Sequence, residues 1–141
     1  MAALTAQVHQ TSASASEALI RGHRVSIDRP VEKGGSDQGA MGGELFLASI
    51  GGCFMSTLLA AIRAREAEAS IGNVTVEVAG TLEQSPARFV AVELQVSADC
   101  DDRELMDKLV AIAGHGCIMV NTLRESLHLK IAVRAAVKAG A

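Results

Sequence analysis

At 141 residues the chain is the size of one domain, long enough to bury an ordinary core without disulfide or metal staples. Its net charge of −3, with scattered lysines and arginines, 2% aromatic residues and neither Trp nor Tyr, offers no basic stripe and no base-stacking platform for nucleic acid. Three cysteines, odd in number and far apart, fit free or catalytic thiols in a reducing compartment better than a disulfide framework.

The opening stretch MAALTAQVHQTSASAS has neither a charged n-region nor a long apolar h-region, so a cytoplasmic protein is expected. Residues 3–12 are β-compatible but weakly patterned, and SASASE behind them is a loop or turn. Residues 18–27 alternate better: Leu19, Arg21, His23, Val25 and Ile27 share one face. Gly22 is placed for a bulge or a hairpin turn. Asp28-Arg29-Pro30 ends the strand, because Pro cannot donate to a ladder. The Gly-rich connection EKGGSDQGAMGG, residues 32–43, lacks the Walker A lysine and hydroxyl and the strand-GxGxxG-helix layout. It reads as a flexible loop leading into a helix, not as a phosphate cradle.

Residues 44–66 form that helix. Leu45, Phe46, Leu47, Ile50, Phe54, Met55, Leu58, Leu59 and Ile62 place large apolar groups almost all round it, which predicts enclosure by other structure. Its length could span a bilayer. Gly51, Gly52, Ala48, Ser49, Ser56 and Thr57 dilute its hydrophobicity and no positive flank precedes it, so a buried central helix is preferred and no membrane association is expected. RAREAEAS and Gly72-Asn73 mark its end. Alternating runs at 74–82 and 89–98, joined through EQSPAR, predict a β-hairpin spanning residues 73–98 with Glu77, Glu93 and Gln95 on its wetter face. Residues 102–116 read as a helix with acidic residues in its first turn and Gly114 and Gly116 at its end. Leu105, Leu109 and Ile112, with Met106 and Val110 beside them, make its apolar stripe. A second helix is expected over 117–127. A closing strand follows over 128–137, with Leu129, Ile131, Val133 and Ala135 alternating. The whole, with N-terminal strands over about 1–30, is a single α+β domain, residues 1–141.

Two cysteines sit behind glycines: Cys53 after Gly51-Gly52, and Cys117 after Gly114-His115-Gly116. Glycine lets another chain or a substrate come close to a sulfur. Cys117 falls at a predicted helix start, where partial positive charge favours the reactive thiolate. Cys53 lies mid-helix in apolar surroundings that disfavour a charge, so a reactive Cys53 needs an arginine nearby. Buried free cysteines usually only pack, which is the alternative for both. Cys100, in Asp99-Cys100-Asp101-Asp102, is expected to be inert because the carboxylates oppose its ionisation. His115 could serve Cys117 as a base, although a structural role is the commoner one at a helix end. No metal site is expected, since no CxxC or HxxxH occurs and His9, His23, His115 and His128 are scattered.

GGSDQGAMGGELFLASIGGCFMSTL resembles the signature of the osmotically inducible protein C / organic hydroperoxide resistance (OsmC/Ohr) family. The matching residues are Glu44-Leu45-Phe46-Leu47-Ala48 followed by Cys53, and, in a second motif, Cys117-Ile118-Met119-Val120-Asn121-Thr122-Leu123. Gly43 and Ile118 stand where the family usually has Pro, which marks a divergent OsmC-like member. The resemblance implies an intertwined homodimer, with N- and C-terminal β-strands wrapped around the long buried helix. It implies a thiol peroxidase acting on organic hydroperoxides, with Cys53 peroxidatic and Cys117 resolving through an intramolecular disulfide. No resident cofactor is implied. An external dithiol such as a lipoyl group would be the reductant partner. Glu44 would orient an arginine that activates Cys53, with Arg29 the first choice and Arg21 and Arg24 the others. A non-enzymatic redox-sensing module, or one binding a small hydrophobic ligand, is the alternative. Glu44 and Cys53 are nine residues apart, which along one helix is a rise of about 13 Å and about half a turn out of phase. Glu44 therefore acts on the partner's Cys53, or the helix starts only near Leu45 and the loop folds back.

Overall fold

The computed structural model describes residues 1–137, with side chains as far as Arg134; the expected inward side chain of Ala135 lies outside them. The chain divides into two compact units, Met1–Phe46 and Leu47–Ala141.

In the first unit, β1 (Gln7–Gln10), β2 (Ser16–Ile20) and β3 (His23–Ile27) form an antiparallel meander. The alternating run at 18–27 is therefore two strands, because Gly22 makes a hairpin turn with Arg21 at φ 59. Glu17 on β2 pairs with Arg24 at 3.1 Å across the hairpin. Beyond β3 the Gly-rich connection is not a slack loop. It opens with a 3₁₀ turn, Val31–Lys33, ends that turn at Gly34 with φ 89, and returns beside β3 through an Ile27–Ala40 bridge.

The long helix α1 spans Gly42–Ala64 and starts two residues earlier than expected. Glu44 lies in its first turn and accepts the Met41 amide at 2.9 Å, half of a capping box. The alternative in which the helix opens near Leu45 is thus removed.

In the second unit, β4 (Ile71–Gln84) and β5 (Ala87–Cys100) form the expected hairpin, longer at both ends, with Ser85-Pro86 as its whole connection. Gly72-Asn73 does not end the helix; it lies in β4, where Asn73 takes φ 50 and the register shifts. The helix stops earlier, at a turn centred on Glu66 with φ 52. β6 (His128–Val137) pairs parallel to β5. A parallel pair needs a crossover, and α2 (Arg103–Gly116) and α3 (Ile118–Leu123) supply it. Asp102 caps α2 by accepting the Leu105 amide at 3.0 Å. The second helix has only six residues, against the eleven expected, because Arg124 to Leu127 turn into β6.

Register puts Val78, Leu94 and Ile131 on one face of this sheet, with Val76, Val96 and Val133 beside them. The other face carries Glu77, Glu93, Gln95, Lys130 and Arg134, where Arg134 bonds Glu77 and Gln95. Helix α1 lays Ile50, Phe54, Leu58 and Ile62, four residues apart, onto the apolar face, all of them buried. Each burial stabilises by about 2 kcal/mol. Gly51 makes the approach possible: a Cβ there would stand 2.8 Å from Val78 Cγ2. α2 buries Met106, Leu109, Val110 and Ala113. Its stripe is rotated from the expected one, since Ile112 is exposed and Leu105 half-buried.

The expectation that α1 is enclosed on every side needs correcting for the single chain. Ala48, Ser49, Gly52, Ser56, Leu59, Ala60 and Arg63 are exposed, because the sheet covers one side only. α1 is also the one described helix long and apolar enough to cross a membrane by length and composition, and 28% of its most apolar stretch is buried.

Candidate active site

The middle of α1 and the α2–α3 corner bring two sulfurs together. Cys53 is half-buried on α1. Cys117 occupies the single extended residue between α2 and α3, at φ −80 and ψ 120, and its side chain is 0% exposed. The two sulfurs are neighbours, close enough for Cys53 to act on the Cys117 thiol, and both are free. Gly116 permits this approach: a Cβ there would lie 3.1 Å from Thr57 Cγ2, one helical turn beyond Cys53. Thr57 in turn donates its hydroxyl to the Cys53 carbonyl at 3.0 Å.

Burial pushes the Cys117 thiol above its ordinary value, and the neighbouring Cys53 adds to the rise. The Val120 and Met119 amides at the start of α3 pull the other way and lose. The expected helix-start activation of Cys117 is therefore present but outweighed by desolvation. Its sulfur is held as a thiol beside Cys53.

The glycines act differently from the sequence reading. Gly51 is buried against β4 and serves helix–sheet packing, while Gly52 has nothing near its missing Cβ. Cys100 is buried in the core, with its sulfur 3.3 Å from the Asp102 carbonyl. His115 is exposed at the end of α2 and lines a cavity of about 330 Å3 with Asp107, Gly114 and Arg124. The groups acting on the Cys117 sulfur are Cys53 and two backbone amides, not this imidazole. Among the described residues, no group of three or more His, Cys, Asp or Glu is placed to hold a metal.

The remaining site candidates lie in the first unit. Glu44 is exposed and engaged with the Met41 amide. Arg24 is paired with Glu17, and Arg21 stands in the hairpin turn. Arg29 is exposed on the rim of a cavity of about 410 Å3, with Lys33 beside it, and forms no ion pair among the described residues. Sequence reading missed Asp28, taken only as the end of a strand. It is the one buried charged residue among the described residues, 3% exposed, and accepts three backbone amides. The available signal was an Asp opening a Gly-rich turn, a position that favours side-chain-to-backbone bonds.

Two sheets, a long helix and a thiol pair joining it to a helix corner define a cysteine-bearing α+β protein. The OsmC-like protein family profile matches residues 35–132, and the chain belongs to that family. Its fold is shared with an OsmC-like protein from Mycoplasma pneumoniae, at TM-score 0.83 and 15% identity over 96% of this chain and 98% of that one. It is shared with an organic hydroperoxide resistance protein OsmC from Legionella pneumophila, at TM-score 0.71 and 20% identity over 97% and 98%. The organic hydroperoxide resistance protein OhrB of Bacillus subtilis is similar at TM-score 0.66 and 23% identity over 92% and 98%. No curated protein matches the chain.

Proposed function

We propose that this OsmC-like protein is a cytoplasmic, homodimeric thiol peroxidase that reduces organic hydroperoxides. One observation carries the reading: the Cys53 and Cys117 thiols, 64 positions apart in the chain, are neighbours close enough to act on each other. Two of the similar folds belong to proteins named for organic hydroperoxide resistance, which agrees with it.

The Cys53 thiolate attacks the terminal oxygen of ROOH. An S–O bond forms as the O–O bond breaks, and the alkoxide leaves and takes a proton as ROH. Cys53 is then a sulfenic acid. The Cys117 sulfur attacks Cys53, the S–O bond breaks, and the thiol proton leaves with the hydroxyl as water. An external dithiol reduces the resulting disulfide by exchange and is itself oxidised to a disulfide. A buried, protonated Cys117 suits the second step, because it withholds the resolving sulfur from the peroxide until Cys53 has been oxidised. Arg29 is the cation assigned to activation of Cys53, supported by its forming no ion pair with a carboxylate among the described residues.

Cys53→Ser should abolish consumption of cumene hydroperoxide with dithiol present. Cys117→Ser should leave a sulfenic acid at Cys53, trapped by a dimedone adduct, and slow turnover. Mass-spectrometric mapping after one equivalent of peroxide should find Cys53 joined to Cys117. Retention of all three free thiols under that treatment would sink the peroxidase reading in favour of a ligand-binding module.

A further inference from the structure

We infer that Asp28 is a positioning residue whose buried carboxylate clasps the 29–38 loop and thereby sets where Arg29 stands. The inference rests on the reading in which Arg29 activates the Cys53 thiol.

The geometry centres on one side chain. Asp28 Oδ1 accepts the Arg29 amide at 2.7 Å, and Oδ2 accepts the Ser36 and Gln38 amides at 3.1 and 3.2 Å. The Ser14 hydroxyl, from the turn between β1 and β2, adds a further bond. The Asp28 amide donates to the Ala40 carbonyl at 3.0 Å. Three short stretches of chain therefore meet on one carboxylate. Burying a charge is costly unless donors surround it, and here they do.

Arg29 is held at both of its backbone groups. Asp28 takes its amide, and its carbonyl accepts the Asp37 amide at 3.0 Å. The loop closes so tightly over it that a Cβ at Gly35 would stand 2.0 Å from the Arg29 carbonyl oxygen, and one at Gly39 would stand 2.3 Å from that of Ser26. Only residues without a Cβ fit there. Both backbone groups of Arg29 are thus fixed, and the exposed residue lines the cavity with Lys33. Arg24 is instead engaged with Glu17, and Arg21 stands in the hairpin turn.

Asp28→Asn keeps the size of the side chain but gives up one acceptor, and Ser14→Ala removes a single exposed donor with little risk to folding. In the full-length protein, Asp28→Asn should lower kcat/KM for cumene hydroperoxide about ten-fold and Arg29→Ala about a hundred-fold, as expected for a displaced and a deleted positioning group. The acid limb of the kcat/KM profile should move to higher pH in both. Ser14→Ala should shift it the same way by less. The double variant should be no slower than Arg29→Ala alone, because Asp28 acts through Arg29. A full additional loss from Asp28→Asn in the Arg29→Ala background would overturn the inference, as would an unchanged profile in Asp28→Asn. The rate of Cys53 alkylation by iodoacetamide at neutral pH gives a second readout. If the wild-type protein consumes no peroxide but both variants still slow alkylation, the positioning role stands and the peroxidase reading fails. If Arg29→Ala leaves alkylation and turnover alike untouched, the positioning role fails with it.

Discussion

Cys117 and Asp28 are both buried groups that can carry charge, and their surroundings drive them in opposite directions. At Cys117 burial wins over two amide donors and raises the thiol above its ordinary 9.0. The neutral thiol is then favoured by the fold, and that stabilisation is fully present below pH 9.0 and lost as pH rises through the folded value. Thermal unfolding scans should show stability falling above pH 9, with the fall reduced in Cys117→Ser. At Asp28 burial pushes the carboxyl up, but amide bonds from Arg29, Gln38 and Ser36 and the Ser14 hydroxyl pull it further down, below the ordinary 3.8. The folded state therefore favours the carboxylate. Its contribution is present above pH 3.8 and disappears as pH falls through the depressed folded value. Asp28→Asn should flatten the acid limb of stability measured by circular dichroism below pH 4. Glu44 already has a structural task, the Met41 amide, so Glu44→Ala should cost about 0.5–2 kcal/mol of stability whatever it does to turnover.

At the scale of elements, two glycines decide how closely helices approach their neighbours. Gly51 sets α1 against Val78 of β4, and a Cβ at 2.8 Å there leaves no room. Gly51→Val should destabilise the protein by about 1–3 kcal/mol through overpacking, read as a lower urea midpoint at unchanged m. Gly116 sets the α2–α3 corner against Thr57. Gly116→Val should push Cys117 away from Cys53, so that peroxide still forms the sulfenic acid while disulfide closure slows. Stopped-flow thiol assays separate those two steps. Both glycines were visible in the sequence, yet their partners were not. Val78 and Thr57 are 27 and 59 positions away, and local pattern says nothing about contacts at such distances.

For the whole molecule, the uncovered side of α1 is the main consequence. Its exposed residues are small or apolar, from Ala48 through Ser56 to Ala60, and the homodimer reading gives them a cover. Ser56→Glu should shift the sedimentation coefficient from dimer to monomer, and an unchanged monomeric coefficient in the wild-type protein would exclude that cover. The same reading lets Glu44 act across the dimer, since its own Cys53 lies nine positions further along the helix. Mixing Glu44→Ala with Cys53→Ser protein should then restore activity in the mixed dimer, because one protomer supplies Glu44 and the other supplies Cys53. No recovery would place Glu44 in its own chain's service or outside catalysis.

Amphipathic period, turn residues and caps were enough by themselves to give the α+β class, the long helix, the hairpin and the closing strand, and two local motifs were enough to single out Cys53 and Cys117. These are short-range properties, written in residues a few positions apart. Tertiary structure alone decided that β6 runs parallel to β5, that α1 buries one side only, that Cys117 is desolvated against Cys53, and that Asp28 gathers a loop around Arg29. Each of those depends on which distant surfaces meet and how much water they expel. Desolvation is a property of the assembled neighbourhood, and no stretch of sequence carries it.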